Sequence, residues 1–193
     1  LMSQPIDFIA NSTFESRGIE AEICGPEPVN DEKGRVVRPP ADLPPYLKSL
    51  YGMPLLTKEQ EQYMFRRMNF RLYQAKKLQD QIDRAKPRSS DLDRLDAYLE
   101  DASAIKRQLI RANLRLVVSV AKKHAYGGRN LFELISDGNV SLMRAVEKFD
   151  YSRGFKFSTY ASWAIMKNFA RSIPDEIKHK DRFRTTALEL FLG

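Results

Sequence analysis

The chain has 193 residues, 42% hydrophobic and 30% charged, which is enough to bury the core of one sizeable domain. No apolar run approaches the roughly 20 residues that span a bilayer, and the N-terminus lacks the basic and apolar regions of a signal peptide. Cys24 is the only cysteine, so intrachain disulfides and multi-cysteine metal sites are excluded, and we expect a protein of the reducing cytoplasm.

The net charge of +7 is unevenly distributed along the chain. Residues 105–193 carry 17 Lys and Arg against 8 Asp and Glu, a net +9, whereas residues 1–104 carry 15 against 17, a net −2. One-sided positive charge is typical of a protein that docks a phosphate backbone on one part of its surface.

The N-terminal third predicts one flexible segment and two helix starts. Residues 1–41 lack sustained periodicity and are broken by proline and glycine, so we expect a flexible extension with a short helix near Ile6 to Ala10. Residues 42–50 predict a short helix with proline in its first turn. Thr57-Lys-Glu-Gln60 is a capping-box pattern that begins a long helix ending near Arg84.

The middle of the chain predicts further helices. After a turn over residues 85–90, apolar residues at helical spacing predict a long helix over residues 91–126 that pairs antiparallel with the first. Asn130 is predicted to cap a short helix over residues 131–136, and Gly138 to separate it from another over residues 139–149. The fold class predicted is therefore all-α, a compact domain of packed antiparallel helices with a mostly irregular N-terminal extension.

Residues 149–171 interleave aromatic rings with cations. The pattern is typical of single-stranded nucleic-acid binding, but an amphipathic helix with aromatic core residues would also produce it. A helix capped by Ser158-Thr159 and ending near Ile173 would favour binding, because its two faces then differ. One face carries Tyr160, Trp163, Lys167, Ala170 and Arg171, and the opposite face carries the core residues Ala161, Ile165, Phe169 and Ser172.

Several segments closely resemble region two of the sigma-seventy family, the bacterial factors that direct RNA polymerase to promoters. The resemblance covers about residues 106–175, and its motifs are Asn113-Leu-Arg-Leu-Val-Val-Ser-Val-Ala-Lys-Lys123, Asp137-Gly-Asn139, Leu142-Met-Arg-Ala-Val-Glu-Lys-Phe149 and Phe155-Lys-Phe-Ser-Thr-Tyr-Ala-Ser-Trp163. It implies region one-point-two-like helices over 42–86 and region two over 87–176. The flexible extension over 1–41 precedes them, and we expect the start of a linker or next helix over 177–193. No helix-turn-helix follows, so we expect an N-terminal fragment of a longer factor.

The resemblance implies a DNA site that captures bases of the promoter minus-ten element. A flipped adenine would enter a pocket in which Tyr160 stacks, a second base would lie near Asn113 and Leu116, and Trp163 would act as a wedge at the fork. Lys156 and Arg171 would contact phosphates. The full set of predicted DNA-binding residues is Asn113, Leu116, Phe149, Asp150, Tyr151, Arg153, Phe155, Lys156, Phe157, Ser158, Thr159, Tyr160, Trp163, Lys167 and Arg171.

Three positions depart from the family pattern at this site. Ala164 stands where a second tryptophan is common, and Lys167 and Ala170 stand where glutamine and threonine read the upstream edge of the element. The short helix over residues 42–50 either brings Tyr46, Leu47 and Lys48 near downstream DNA or staples itself to the domain.

The resemblance also implies a surface for the clamp coiled coil in the largest subunit of core RNA polymerase. Its residues are Phe132, Glu133, Ser136, Asp137, Asn139 and Met143, with Ser136 replacing the usual glutamine. The expected partners are core RNA polymerase and the non-template strand of promoter DNA, with an anti-sigma factor as a further candidate and no membrane. We expect no cofactor, no catalytic residue and no metal site.

Two other classes of function fit the sequence less well. A general single-strand binder without polymerase recruitment would have no use for the acidic pair Glu133 and Asp137. An enzyme is disfavoured, because the chain has no P-loop, no His/Asp/Ser constellation and no metal-ligand spacing. His124 is interpreted as a residue favoured by the C-terminal end of its helix.

Overall fold

The structure, a computed structural model, describes residues 4–29, 39, 44–83, 85–125 and 130–171, except for the side chain of Tyr46. Six helices occur in these ranges: α1 (Ile19–Ile23), α2 (Pro45–Ser49), α3 (Lys58–Gln81), α4 (Ser89–His124), α5 (Leu131–Lys148) and α6, which covers 157–171. The described residues contain no strand, so the predicted all-α class is confirmed. None of the helices in these ranges combines the length and low polarity that a bilayer crossing requires.

Helices α3 and α4 form the predicted antiparallel pair. The capping box at the start of α3 is present, since the Gln60 amide donates to the Thr57 hydroxyl at 3.2 Å and the Thr57 amide donates to the Gln60 side chain at 3.1 Å. Arg67 and Arg71 of α3 both donate to the Asp101 carboxylate of α4, at 3.0 and 2.8 Å. These contacts hold the two longest helices in one register.

The main core lies between α3, α4, α5 and α6. Its fully buried side chains include Phe65, Leu109, Val117, Leu142, Phe157, Ala161, Ile165 and Phe169. The predicted core face of α6 is confirmed for Ala161, Ile165 and Phe169, while Ser172 and the predicted helix end near Ile173 lie outside the described residues.

Helix α5 is continuous, so the prediction of two helices separated at Gly138 is wrong. Gly138 lies inside the helix, buried where α5 crosses α4 and α6. A glycine is required there by packing, because neighbouring side chains leave no room for a Cβ. A Cβ placed there would lie 2.6 Å from Val117 Cγ1 of α4 and 3.3 Å from Phe169 Cζ of α6. Asn130 caps the helix as predicted, because its side chain accepts from the Phe132 amide at 3.0 Å.

Residues 4–29 pack along α3 instead of extending freely as a flexible segment. Phe14 and Ile23 are buried against Phe70, and the Phe14 and Phe70 rings meet edge to face at 5.4 Å. The short helix predicted near Ile6 to Ala10 is wrong. A 3-10 turn over Ser12–Glu15 and helix α1 occur instead, because the buried side chains of this segment are Phe14 in the turn and Ile23 in the helix.

Polar contacts also tie this N-terminal segment to the rest of the domain. Asn69 of α3 accepts from the Ile9 amide at 2.7 Å, and Tyr63 donates its hydroxyl proton to the Gly25 carbonyl at 2.6 Å. The side-chain amide of Asn11 donates to the Tyr151 hydroxyl at 3.2 Å, 140 positions away. The boundaries proposed at residues 41, 86 and 176 stay predictions.

The short helix predicted over residues 42–50 is observed as α2, followed by a 3-10 turn over Leu50–Gly52. Leu47 is completely buried in the main core, so its side chain attaches α2 to the domain, as the second of the two interpretations of this helix expects. Lys48 is exposed, and its proximity to downstream DNA stays a prediction.

We predict that Gly138→Ala destabilises the domain, although alanine is the better helix former. Alanine gains about 1 kcal/mol in helix propensity, but overpacking a filled core costs roughly 1–3 kcal/mol, and Val117 is itself fully buried. Thermal unfolding followed by circular dichroism measures the difference. Adding Val117→Ala removes the clashing methyl group. The loss of unfolding free energy in the double variant should therefore be smaller than the sum of the losses in the two single variants. Strict additivity would contradict the proposed clash.

Candidate nucleic-acid and polymerase surfaces

Helix α6 begins at Phe157, so the predicted Ser158-Thr159 cap is wrong. The Phe157 amide donates to a carboxylate oxygen of Glu61, in the first turn of α3, at 3.4 Å. An acceptor from another helix thus takes the place of a local cap, and sequence spacing carries no signal of it. The Ser158 and Thr159 hydroxyls have no hydrogen-bond partner among the described residues, which leaves them available to a ligand.

The two faces of α6 differ as predicted. Trp163 is 70% exposed and Tyr160 is 38% exposed, while Lys167, Ala170 and Arg171 are also at the surface. Just before the helix, Phe155 is 67% exposed next to the exposed Lys156. In the described ranges no carboxylate lies within ion-pair distance of Lys156, Lys167 or Arg171. Rings and cations therefore share one surface, defined here as the ring-cation face.

Three of the predicted DNA-contacting rings are buried instead. Phe149, Tyr151 and Phe157 are at most 7% exposed. Phe157 and Phe149 lie 5.2 Å apart, and both pack on Phe65 of α3. A base stacks only on an accessible ring face, so we assign these three rings to packing. Phe149 in turn supports Tyr160, whose ring centroid is 5.5 Å away.

The residues between α5 and α6 form a tight turn with Asp150 at its centre. The Asp150 carboxylate accepts from the Ser152 amide and hydroxyl at 3.1 and 2.6 Å, and from Arg153 Nε at 3.0 Å. These bonds, the Ser152 hydroxyl first, hold the pKa of Asp150 below its usual value. Gly154 closes the turn with a φ of 72°, a conformation that favours glycine. Asp150 therefore fixes the turn in the free protein, and its contact with a base stays a prediction.

The residues predicted near a second base are less accessible. Asn113 is buried, and its side-chain amide donates to the Leu109 carbonyl of its own helix at 2.9 Å. Leu116 is half-buried and packs against the core. Ala164, which replaces a common second tryptophan, is also half-buried against the core, so a large ring there would require repacking.

The predicted polymerase residues lie along α5. Phe132 and Met143 are 52% and 40% exposed, Glu133 and Ser136 are also exposed, and Asp137 and Asn139 are half-buried. Sequence reasoning missed Val140, which is 42% exposed and lies four residues after Ser136 on the same side of the helix. The helical spacing could have identified it. Together these residues form an apolar and acidic strip, defined here as the α5 strip.

His124 and the acidic residues do not form a metal site in the part of the chain that the structure describes. His124 Nδ1 lies 2.9 Å from the Val120 carbonyl oxygen, and its ring packs on Phe169 at 5.6 Å. It closes the last turn of α4 over the core.

Comparison with known proteins identifies the helical core. Residues 109–182 match the family described as Sigma-70 region 2. The chain is 40% identical over 131 residues to the RNA polymerase principal sigma factor HrdD of Streptomyces griseus, which is 68% of this chain and 39% of that protein. It is 41% identical over 130 residues to the RNA polymerase principal sigma factor HrdC of Streptomyces coelicolor, covering 66% of this chain and 38% of that protein.

The matched part includes both surfaces. Residues 109–182 contain the α5 strip and the ring-cation face, as well as most of the buried side chains between α4, α5 and α6. The chain spans about two fifths of the length of the curated relatives it matches. Residues 109–182 of this chain are therefore a region 2 of the sigma-70 family.

Proposed function

We propose that this chain is the part of a sigma factor that binds core RNA polymerase and captures the non-template strand of the promoter minus-ten element. The observation that carries the proposal is the composition of the ring-cation face. Tyr160 and Trp163 are exposed there beside Lys167 and Arg171, although the opposite face of α6 already fills the core. Such a face suits unpaired bases joined by phosphates, because bases stack on rings while cations attract the backbone.

The energetics of base capture are compatible with this face. Extruding one base from a duplex costs a few kcal/mol in stacking and pairing. A stacked ring contributes roughly 1–3 kcal/mol per base. Tyr160 is already supported by Phe149, so little further ordering of its ring is required on binding. One ring can therefore offset much of one extruded base.

Polar groups beside Tyr160 would then recognise the captured base. The Ser158 and Thr159 side chains directly precede the ring, and neither is used to cap α6. Arg153 is exposed at the edge of the preceding turn, where it would contact a base edge or a phosphate. Lys167 can donate to a phosphate or a guanine, but Ala170 has no hydrogen-bonding side chain. We therefore expect a promoter preference different from that of factors with glutamine and threonine at these positions.

The α5 strip is the proposed contact with polymerase. Phe132, Val140 and Met143 place apolar side chains at the surface, and Glu133 and Asp137 add negative charge within an otherwise basic half of the chain. Exposed apolar residues rimmed by charge mark protein interaction sites. The acids would pair with a cationic partner and set its orientation more than its affinity. The clamp coiled coil of the largest subunit is the partner proposed.

The experiment that tests the function measures two affinities separately and together: one for core polymerase and one for a minus-ten non-template oligonucleotide. We expect both partners to bind and each to tolerate the other. A general single-strand binder would bind the oligonucleotide alone. The proposal would be rejected if the chain failed to bind core polymerase or failed to bind the oligonucleotide.

We predict that Tyr160→Ala and Trp163→Ala each weaken oligonucleotide binding by roughly 1–3 kcal/mol, the value of one stacked base. Fluorescence anisotropy of a labelled single strand measures the affinity. Phe132→Ala is the matched control, since it removes an exposed ring of the same chain outside the ring-cation face. Unchanged affinity in a folded Tyr160→Ala variant would remove that ring from the proposed site.

We predict that combining Glu133→Lys with Asp137→Lys weakens polymerase binding roughly tenfold, equivalent to about 1.4 kcal/mol, and spares oligonucleotide binding. The reversed charges would repel a cationic partner. The control is Glu147→Lys, an exposed acid at the other end of α5 that pairs with Lys106. Equal losses from the control and the double variant would indicate a general charge effect instead of a specific surface.

A further inference from the structure

Glu61 joins the first turn of α3 to the first turn of α6. Its carboxylate accepts from the Phe157 amide at 3.4 Å, across 96 positions of sequence. Ser158, Thr159 and Tyr160 follow that amide directly, so the contact lies at the base of the proposed pocket. No feature of the proposed chemistry uses Glu61 itself.

Helix geometry explains why an acid is suited to this position. The first amides of a helix have no acceptor within the helix, and the N-terminal end carries partial positive charge. Glu61 also belongs to the first turn of α3, so one carboxylate lies near the N-terminal ends of two helices. Burial raises the pKa of Glu61, while the Phe157 amide and the neighbouring Lys156 act in the opposite direction. An acid that is partly buried, accepts from the Phe157 amide and feels the charge of nearby Lys156 is a structural anchor.

We propose that Glu61 is a positioning residue for single-strand capture: it fixes the start of α6, and with it the orientation of Thr159 and Tyr160, without touching DNA. The inference rests on the proposed function of the ring-cation face. It connects that face to α3, which carries none of the residues proposed to contact DNA. The core contact of Phe65 with Phe157 sets the depth of α6, and Glu61 sets where its first turn begins.

Charge alone predicts the opposite outcome when Glu61 is removed. A carboxylate close to a DNA surface repels phosphates, so its loss would leave affinity unchanged or increase it. A positioning role predicts that affinity falls, because the first turn of α6 loses its acceptor and the ring beside it becomes less ordered. The sign of the change therefore separates the two explanations.

The test uses the full 193-residue chain and a labelled minus-ten non-template single strand. We expect Glu61→Ala to bind the strand roughly tenfold more weakly, as a loss of about 1.4 kcal/mol would produce. Glu61→Gln keeps a side-chain oxygen that accepts from the amide, so it should remain within about threefold of wild type. Trp163 is the only tryptophan, so the quenching of its emission by the strand reports on α6 directly.

Two further variants keep the result interpretable. Glu59→Ala removes an exposed acid from the same turn of α3, and its oligonucleotide affinity should not fall. Glu61→Asp keeps the charge but shortens the reach of the carboxylate, so it tests positioning even if Glu61→Ala fails to fold. We expect Glu61→Asp to bind more weakly than wild type.

The outcomes are distinguishable. Glu61→Ala binding as tightly as wild type, or Glu61→Gln binding as weakly as Glu61→Ala, would overturn the positioning role alone. Absence of oligonucleotide binding by the wild-type chain would overturn the proposed function and the inference together. A selective loss in Glu61→Ala and Glu61→Asp, with binding kept by Glu61→Gln and Glu59→Ala, would support the inference.

Discussion

The contact among Phe65, Phe149 and Phe157 determines where the exposed rings of this domain lie. The three rings are buried with centroids 4.8 to 5.2 Å apart, and they come from α3, the end of α5 and the start of α6. Tilted aromatic contacts of this kind add specific geometry to the free energy of apolar burial. Tyr160 packs on the outer side of the cluster, so the core contacts of Phe149 determine where the Tyr160 ring lies at the surface.

Helix α5 links the two proposed surfaces as one rigid element. With 18 residues, it is roughly 27 Å long. Phe132 begins the strip proposed for polymerase, and Phe149 follows the last turn and enters the aromatic cluster. Gly138 lets this helix pass close to α4 and α6, because the side chains of Val117 and Phe169 occupy the space where a Cβ of residue 138 would lie. A break at this position would leave the two surfaces free to move relative to each other.

The sequence predicted the elements whose signals are local, and it missed those that depend on distant partners. The capping box at Thr57 and the core face of α6 depend on residues a few positions apart, and both are confirmed. Glu61 caps a helix 96 positions away, and no periodic pattern indicates such a contact. Gly138 was misread because glycine ends helices by its backbone freedom but also permits close packing inside them. The structure confirms that α6 has a core face and an exposed face, but Phe149 and Phe157, both predicted to contact DNA, are buried, because neither residue carries a sequence mark that distinguishes burial from exposure.

The balance of stacking energies explains why both surfaces belong on one body. Among the described residues, the accessible rings at the proposed site are Phe155, Tyr160 and Trp163. At roughly 1–3 kcal/mol per base they would compete with a few kcal/mol for each base extruded from a duplex. Under the proposed function, the face would hold bases that are already unpaired, but its rings would be too few to open several base pairs alone. Ala164 lowers that capacity further, because it adds no ring beside Trp163. Anchoring through α5 would keep the face beside the DNA while the duplex fluctuates, so that each transiently unpaired base meets a preformed ring. The two proposed surfaces would act together only if the core between them is rigid, and the buried aromatic cluster is the part of the core that joins α3 and α6 to the end of α5.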